Sequence, residues 1–178
     1  ALEFTQPAPN DMKVRIHGAQ FDLKPFVVAT YDLNEADIDG PEEDRMIDID
    51  VEIERALMDQ ELTLETVRAT MRVEGNLIEG GTATGKFAGE KTFNFDLGRD
   101  GETRTVSFIS DDAGSLFRGL DLYDDFRDGT LKMSAVIDDT KESRPAKGTI
   151  EIKDVRVVNA PVLGKILTLG SLGGIVDL

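Results

Sequence analysis

The sequence predicts a mainly β protein with short α-helices: an antiparallel β-meander forming a curved sheet or groove, with helices covering one face or end. Three observations carry this reading. Apolar and polar residues alternate with period two in successive runs, glycines and acidic residues separate those runs, and only two stretches show helical spacing. The 178 residues fit a single domain, and an apolar content of 40% supplies a core that a disordered chain lacks.

The first segment, through Asp44, contains the alternating run Met12-Lys13-Val14-Arg15-Ile16-His17 and further apolar anchors at Phe21, Leu23 and Phe26-Val27-Val28-Ala29. It then turns acidic through Glu35, Asp37, Asp39, Glu42, Glu43 and Asp44, with a turn at Gly40-Pro41, so strands followed by an exposed loop are expected. The sharpest alternation comes next. Ile47, Ile49, Val51 and Ile53 interleave with Asp48, Asp50, Glu52 and Glu54, which sets one apolar row against a core and one acidic row in water. Val67, Ala69, Met71 and Val73 repeat the pattern with Arg68 and Arg72 on the polar side, so pairing these two strands offsets their charges.

Gly75-Asn76, Gly80-Gly81, Gly85 and Gly89 punctuate the following stretch and predict short strands separated by turns or bends. Phe93, Phe95 and Leu97 alternate with Asn94 and Asp96, and Arg99-Asp100-Gly101 turns the chain toward Val106-Ser107-Phe108-Ile109. Ser110 is placed to cap a helix beginning at Asp111 and Asp112, with Ala113, Leu116, Phe117 and Leu120 at helical spacing and Leu122, Tyr123 and Phe126 extending its apolar surface. Strands resume at Leu131, Met133, Ala135 and Ile137, then at Ile150 and Ile152, with Val155 and Val157 displaced by a bulge at Asp154. Near the end, Asn159 and Pro161 open a second helix whose Leu163, Ile166 and Leu167 share a surface that Val162 and Leu169 broaden. So wide a surface needs a large apolar partner: the sheet, a continuation of the protein, a membrane interface or a bound lipid.

Acidic residues number 35 against 20 basic ones, a net charge of -15 that opposes nonspecific contact with nucleic acid or an anionic membrane. The absence of cysteine removes thiol chemistry, and a lone histidine, His17, forms no multi-histidine zinc site. His17 shares the polar side of its strand with Lys13 and Arg15 and has no local orienting partner for base catalysis. The pairs Asp111-Asp112, Asp124-Asp125 and Asp138-Asp139 fit capping and turns better than a calcium loop or an acid/base dyad. Gly80, Gly81, Gly85 and Gly89 lack the spacing and the lysine of a phosphate loop. No catalytic, cofactor or metal site is expected, which leaves an ordinary core closed by the helices, a hydrophobic groove for acyl chains, or an interaction surface. The opening Ala1-Leu2-Glu3-Phe4 lacks an initiating methionine and a signal-peptide core, so the chain reads as one piece of a longer protein.

Four segments in order add a resemblance: Phe108-Ile109-Ser110-Asp111-Asp112-Ala113-Gly114-Ser115-Leu116-Phe117-Arg118-Gly119-Leu120, then Asp128-Gly129-Thr130-Leu131, then the run from Gly148-Thr149-Ile150 through Asn159-Ala160-Pro161-Val162-Leu163, and finally Leu167-Thr168-Leu169-Gly170-Ser171-Leu172-Gly173-Gly174-Ile175. Together they resemble the C-terminal part of large AsmA-like envelope proteins, especially the YhdP-type branch; the likeness is strongest over 104–178, and 1–178 is read as one β-rich domain of such a protein. The resemblance implies a bacterial periplasmic location within an inner-membrane-anchored protein, a β-structured hydrophobic groove, and a part in phospholipid binding or intermembrane transport without catalysis. It further implies phospholipid and the remainder of the larger protein as partners, no cofactor and no nucleic acid. Under this reading Leu116, Phe117, Leu120, Leu163, Ile166 and Leu167 line or close the groove. The alternative is a structural or protein-interaction module with a closed core and no lipid cargo.

Overall fold

The computed structural model describes residues 1–22, 45–58, 62–75, 77–120, 122–141 and 143–158. Its strands in chain order are β1 (Leu2–Ala8), β2 (Asp11–Asp22), β3 (Met46–Leu57), β4 (Thr63–Glu74), β5 (Leu77–Lys86), β6 (Thr92–Asp100) and β7 (Thr103–Ser110). A short helix α1 (Ala113–Gly119) precedes β8 (Phe126–Arg127), β9 (Thr130–Asp138), β10 (Ala146–Lys153) and β11 (Arg156–Val157). Nine strands form one sheet in the order β1-β2-β3-β4-β5-β6-β7-β9-β10, and β8 pairs with β11 in a separate two-stranded ribbon.

This architecture corrects the expected antiparallel meander forming a curved sheet or groove. The protein is mainly β with one short helix among its described residues, but the sheet is mixed, neither closed nor strongly curled, and β1 and β10 are separate edges. The mixed character arises where β2 and β3 run parallel, Asp11 beside Met46 and Asp22 beside Leu57. Parallel neighbours need a crossover of a dozen or more residues, a length the chain supplies between these strands and a hairpin turn does not. Local turn chemistry does not reveal the direction in which a strand returns after so long a connection.

Three smaller expectations also change. No turn falls at Gly80-Gly81: β5 passes through it, with a register shift against β4 between Ile78 and Gly80. A Cβ on Gly81 would lie 2.6 Å from the carbonyl oxygen of Thr70, so glycine here serves close strand approach rather than a turn. The cap of α1 is Asp112, whose carboxylate accepts from the Ser115 backbone N–H; Ser110 instead accepts from the N–H of Asp112 through its hydroxyl. Asp154 does not bulge a continuing strand: it adopts φ 57° at the end of β10 and redirects the chain into β11 beside β8. The helix expected after Asn159 lies outside the described residues.

The tightest packing gathers at one end of the sheet. Ile53, Ala56, Met58, Leu62, Leu64, Val67 and Phe87 form a buried cluster, with Ile16, Phe21, Val51, Phe93, Leu116 and Leu120 packed against it. The helix sits flush against this cluster because Gly119 carries no side chain; a Cβ there would lie 2.0 Å from a Leu62 methyl. Phe87 and Phe93 meet with ring centroids 5.7 Å apart, and Phe93 stacks on Phe108 at 6.3 Å.

Ile53 is 2% exposed, whereas Val136 on the opposite side of the sheet is open to solvent. Ile53→Ala is expected to lower unfolding free energy by about 2–5 kcal/mol, and Val136→Ala by less than about 1 kcal/mol, in urea titrations followed by circular dichroism. Equal losses would place the core elsewhere.

Candidate functional site: an apolar sheet face with a charged end

Period-two alternation and the cross-strand register place apolar residues from all nine strands on one side. The row Leu2, Ile16, Val51, Ala69, Ala83, Phe95, Phe108, Met133 and Ile150 crosses the sheet without one polar residue. A neighbouring row runs Phe4, Val14, Ile49, Met71, Gly81, Leu97, Val106, Ala135 and Gly148. At strand spacings of about 4.8 Å the rows span roughly 38 Å.

Only part of this face is covered by described residues. Contacts between elements other than neighbouring sheet strands concentrate where α1 and β11 meet β8 and where the turn at Ala88–Glu90 meets β4. Toward both edges the face opens: Leu2 is 68% exposed, Phe4 74% and Ile150 67%. A shallow concavity of about 730 Å³ crosses β1 to β6; the residues along it include Val14, Ile49, Met71 and Leu97 of this row and also Arg15, Asp48, Asp50 and Arg72, whose side chains belong to the reverse side.

The two ends of the face differ. At one, Leu116 and Leu120 of α1 pack on the buried cluster, while Phe117 turns away and meets Phe126 edge-to-face at 5.2 Å. The structure therefore brings together two of the three helical residues singled out in the sequence. Leu163, Ile166 and Leu167 lie outside the described residues. At the other end the apolar alternation gives way to Arg99 and Arg104 on β6 and β7 only, while Met12, Ile47, Val73 and Ile137 keep the same row apolar on β2, β3, β4 and β9. Arg104 grips Asp139 with two hydrogen bonds of 2.8 Å and donates a third, of 3.0 Å, to the Ile78 carbonyl oxygen. The side chains of Arg104 and Asp139 are only 10% and 6% exposed. Arg99 bonds Glu79 and the Gly101 carbonyl oxygen.

The reverse side of the sheet carries an ion-pair ladder. Arg72 bonds Asp48 at 2.8 Å, Arg68 lies 3.3 Å from Glu52 and Arg15 3.9 Å from Asp50, while the Thr70 and Thr82 hydroxyls meet at 2.9 Å. The hydrogen bond from Arg72 holds the Asp48 carboxyl below its ordinary range. Burial pushes Asp112 up, but the bonds from Ser115 and Lys91 outweigh it and leave its pKa lowered. His17 lies on this side, 3.9 Å from Glu3.

No arrangement for covalent or acid/base chemistry emerges among the described residues. Asp112 caps a helix, Asp111 accepts from Thr92, Asp138 accepts from Thr140, and Asp139 is held by Arg104. No group of three or more His, Asp or Glu among the described residues is disposed to hold a metal ion. Sequence reasoning missed the Arg104–Asp139 pair because its members belong to different strand-turn segments. The one available signal was an arginine placed where the alternation before Val106 predicts an apolar residue. Compared with known proteins, the chain matches no family model and no curated protein.

The bond from Arg104, ahead of the nearby positive charges, lowers the Asp139 pKa. A depressed carboxyl contributes stability that is fully present above its unfolded pKa of about 3.9 and is lost as pH falls through the lower folded value. Asp139→Asn is therefore expected to be less stable than the parent at neutral pH and to show a flatter loss of stability below about pH 4. Urea midpoints measured across that range test this; parallel curves for parent and variant would remove the linkage.

Proposed function

We propose that this chain is a non-enzymatic segment of a bacterial envelope protein whose open apolar sheet face holds the acyl chains of phospholipids. The observation that carries the reading is the pair of apolar rows running from edge to edge with little covering them among the described residues. Monomeric proteins rarely leave so much contiguous apolar surface in water, and an acyl chain satisfies it without needing polar partners. The charged patch of Arg99, Glu79, Arg104 and Asp139 gives the face a polar margin beside β6 and β7, near which headgroups remain hydrated. Periplasmic location, attachment to an inner-membrane anchor and a part in phospholipid transport toward the outer membrane rest on the C-terminal resemblance to AsmA-like proteins of the YhdP type. A structural or interaction module is the second reading, favoured by the conventional packing of α1 on its cluster.

Native mass spectrometry of gently purified protein, with extraction of any added mass, separates the two. Phospholipid is expected to copurify, and Phe95→Glu or Val14→Glu is expected to reduce it by about tenfold or more because each places a carboxylate among apolar side chains. Thr82→Glu, on the ladder side, is expected to leave binding unchanged. Folded parent protein that takes up no phospholipid, or a Phe95→Glu variant that binds as the parent does, would favour the structural module.

A further inference from the structure

Among the described residues the sheet has two edges, and their chemistry differs. β1 is blunted: its pairing with β2 is irregular between Thr5 and Ala8, Pro7 offers no N–H, and Pro9 follows directly. β10 has none of these protections. It pairs with β9 in unbroken register from Ala146 to Lys153, contains no proline, and all eight of its residues are exposed. No described strand pairs with its outer edge, which presents backbone donors and acceptors beside the exposed Ile150 and Ile152.

The sequence of β10 is complementary to itself. An antiparallel pair of β10 strands related by a two-fold axis keeps both apolar faces on the same side, so residue pairs across the junction must match in face. With Thr149 opposite Thr149 of a second copy, Lys147 opposes Glu151 twice, Ile150 lies over Gly148, and Ile152 meets Ala146. Opposite charges and paired threonines are favourable cross-strand neighbours. Sliding the register by one face-preserving step puts Lys147 against Lys153 in one direction, and in the other leaves Glu151 facing Pro145. Of these three registers, only the one centred on Thr149 pairs the charges.

We infer that the chain forms an isologous dimer through edge-to-edge antiparallel pairing of β10, centred on Thr149, which continues the apolar face across both copies. The inference is independent of what the face binds. Its occupant is a second copy because the charges, the glycine and the isoleucine of one strand fit those of the same strand reversed.

Sedimentation velocity over a concentration series at low salt tests this. The parent is expected to dimerise reversibly, and Lys147→Glu or Glu151→Lys alone to raise the dissociation constant by about tenfold, since each turns two attractions into repulsions. The double variant Lys147→Glu with Glu151→Lys restores the pairing in reverse and is expected to recover parental affinity, which separates charge matching from loss of folding. The chain has no cysteine, and opposed residues sit within disulfide range, so Thr149→Cys is expected to give a covalent dimer on mild oxidation while Glu151→Cys does not. A monomer at every concentration overturns the inference, as does a dimer indifferent to either charge reversal. Open polymers, the product of β10 pairing with β1 of the next copy, overturn it as well.

Discussion

Cross-strand register is the constraint on which the remaining features depend. Side chains alternate sides along each strand, so a slip of one residue anywhere between β2 and β10 would carry isoleucines and phenylalanines into the ion-pair ladder and carboxylates into the apolar rows. The ladder itself is too exposed to set that register, because surface pairs such as Arg15–Asp50 and Glu52–Arg68 each contribute little. The apolar rows enforce it, anchored where Ile53 and Val67 meet the buried cluster. The charges follow from it and become complementary because they are already opposite one another.

The same register explains why the face ends where it does. At the α1 end, apolar side chains acquire a second layer and become a core. At the opposite end, the positions on β6 and β7 that follow Leu97 and Val106 in the alternation are arginines, and Arg104 is buried only because Asp139 and the Ile78 carbonyl satisfy it. A buried ion pair contributes little over an apolar alternative of the same size. It does interrupt the apolar surface on β6 and β7, where removing either member would leave its partner charge without compensation.

Much of this was legible in the sequence. The strands at Met46–Leu57, Thr63–Glu74, Thr92–Asp100 and Thr130–Asp138 follow from strict alternation, and the offset of Asp48 and Glu52 by Arg72 and Arg68 follows from placing two such strands together. What escaped is nonlocal. The parallel arrangement of β2 and β3 depends on a long return path that no turn residue encodes, and the openness of the sheet depends on edges that alternation does not describe. The glycines of β5 misled because turns and close strand contacts both demand them. The candidate residues of the helix separated for a geometric reason: Leu116 and Leu120 share a face one turn apart, whereas Phe117 points toward Phe126.

The parallel junction has a consequence for how the sheet is assembled. The ladders β3 to β7 join consecutive strands through short turns, so each closes a small loop. β2 reaches β3 only after the chain has travelled from Asp22 to Met46, and closing a longer loop costs more conformational entropy. The hairpin of β1 and β2, which carries Leu2, Phe4, Val14 and Ile16, is thus held to the sheet by lateral pairing rather than by a tight turn. It is the portion of the apolar face whose attachment depends most on the strength of a single ladder.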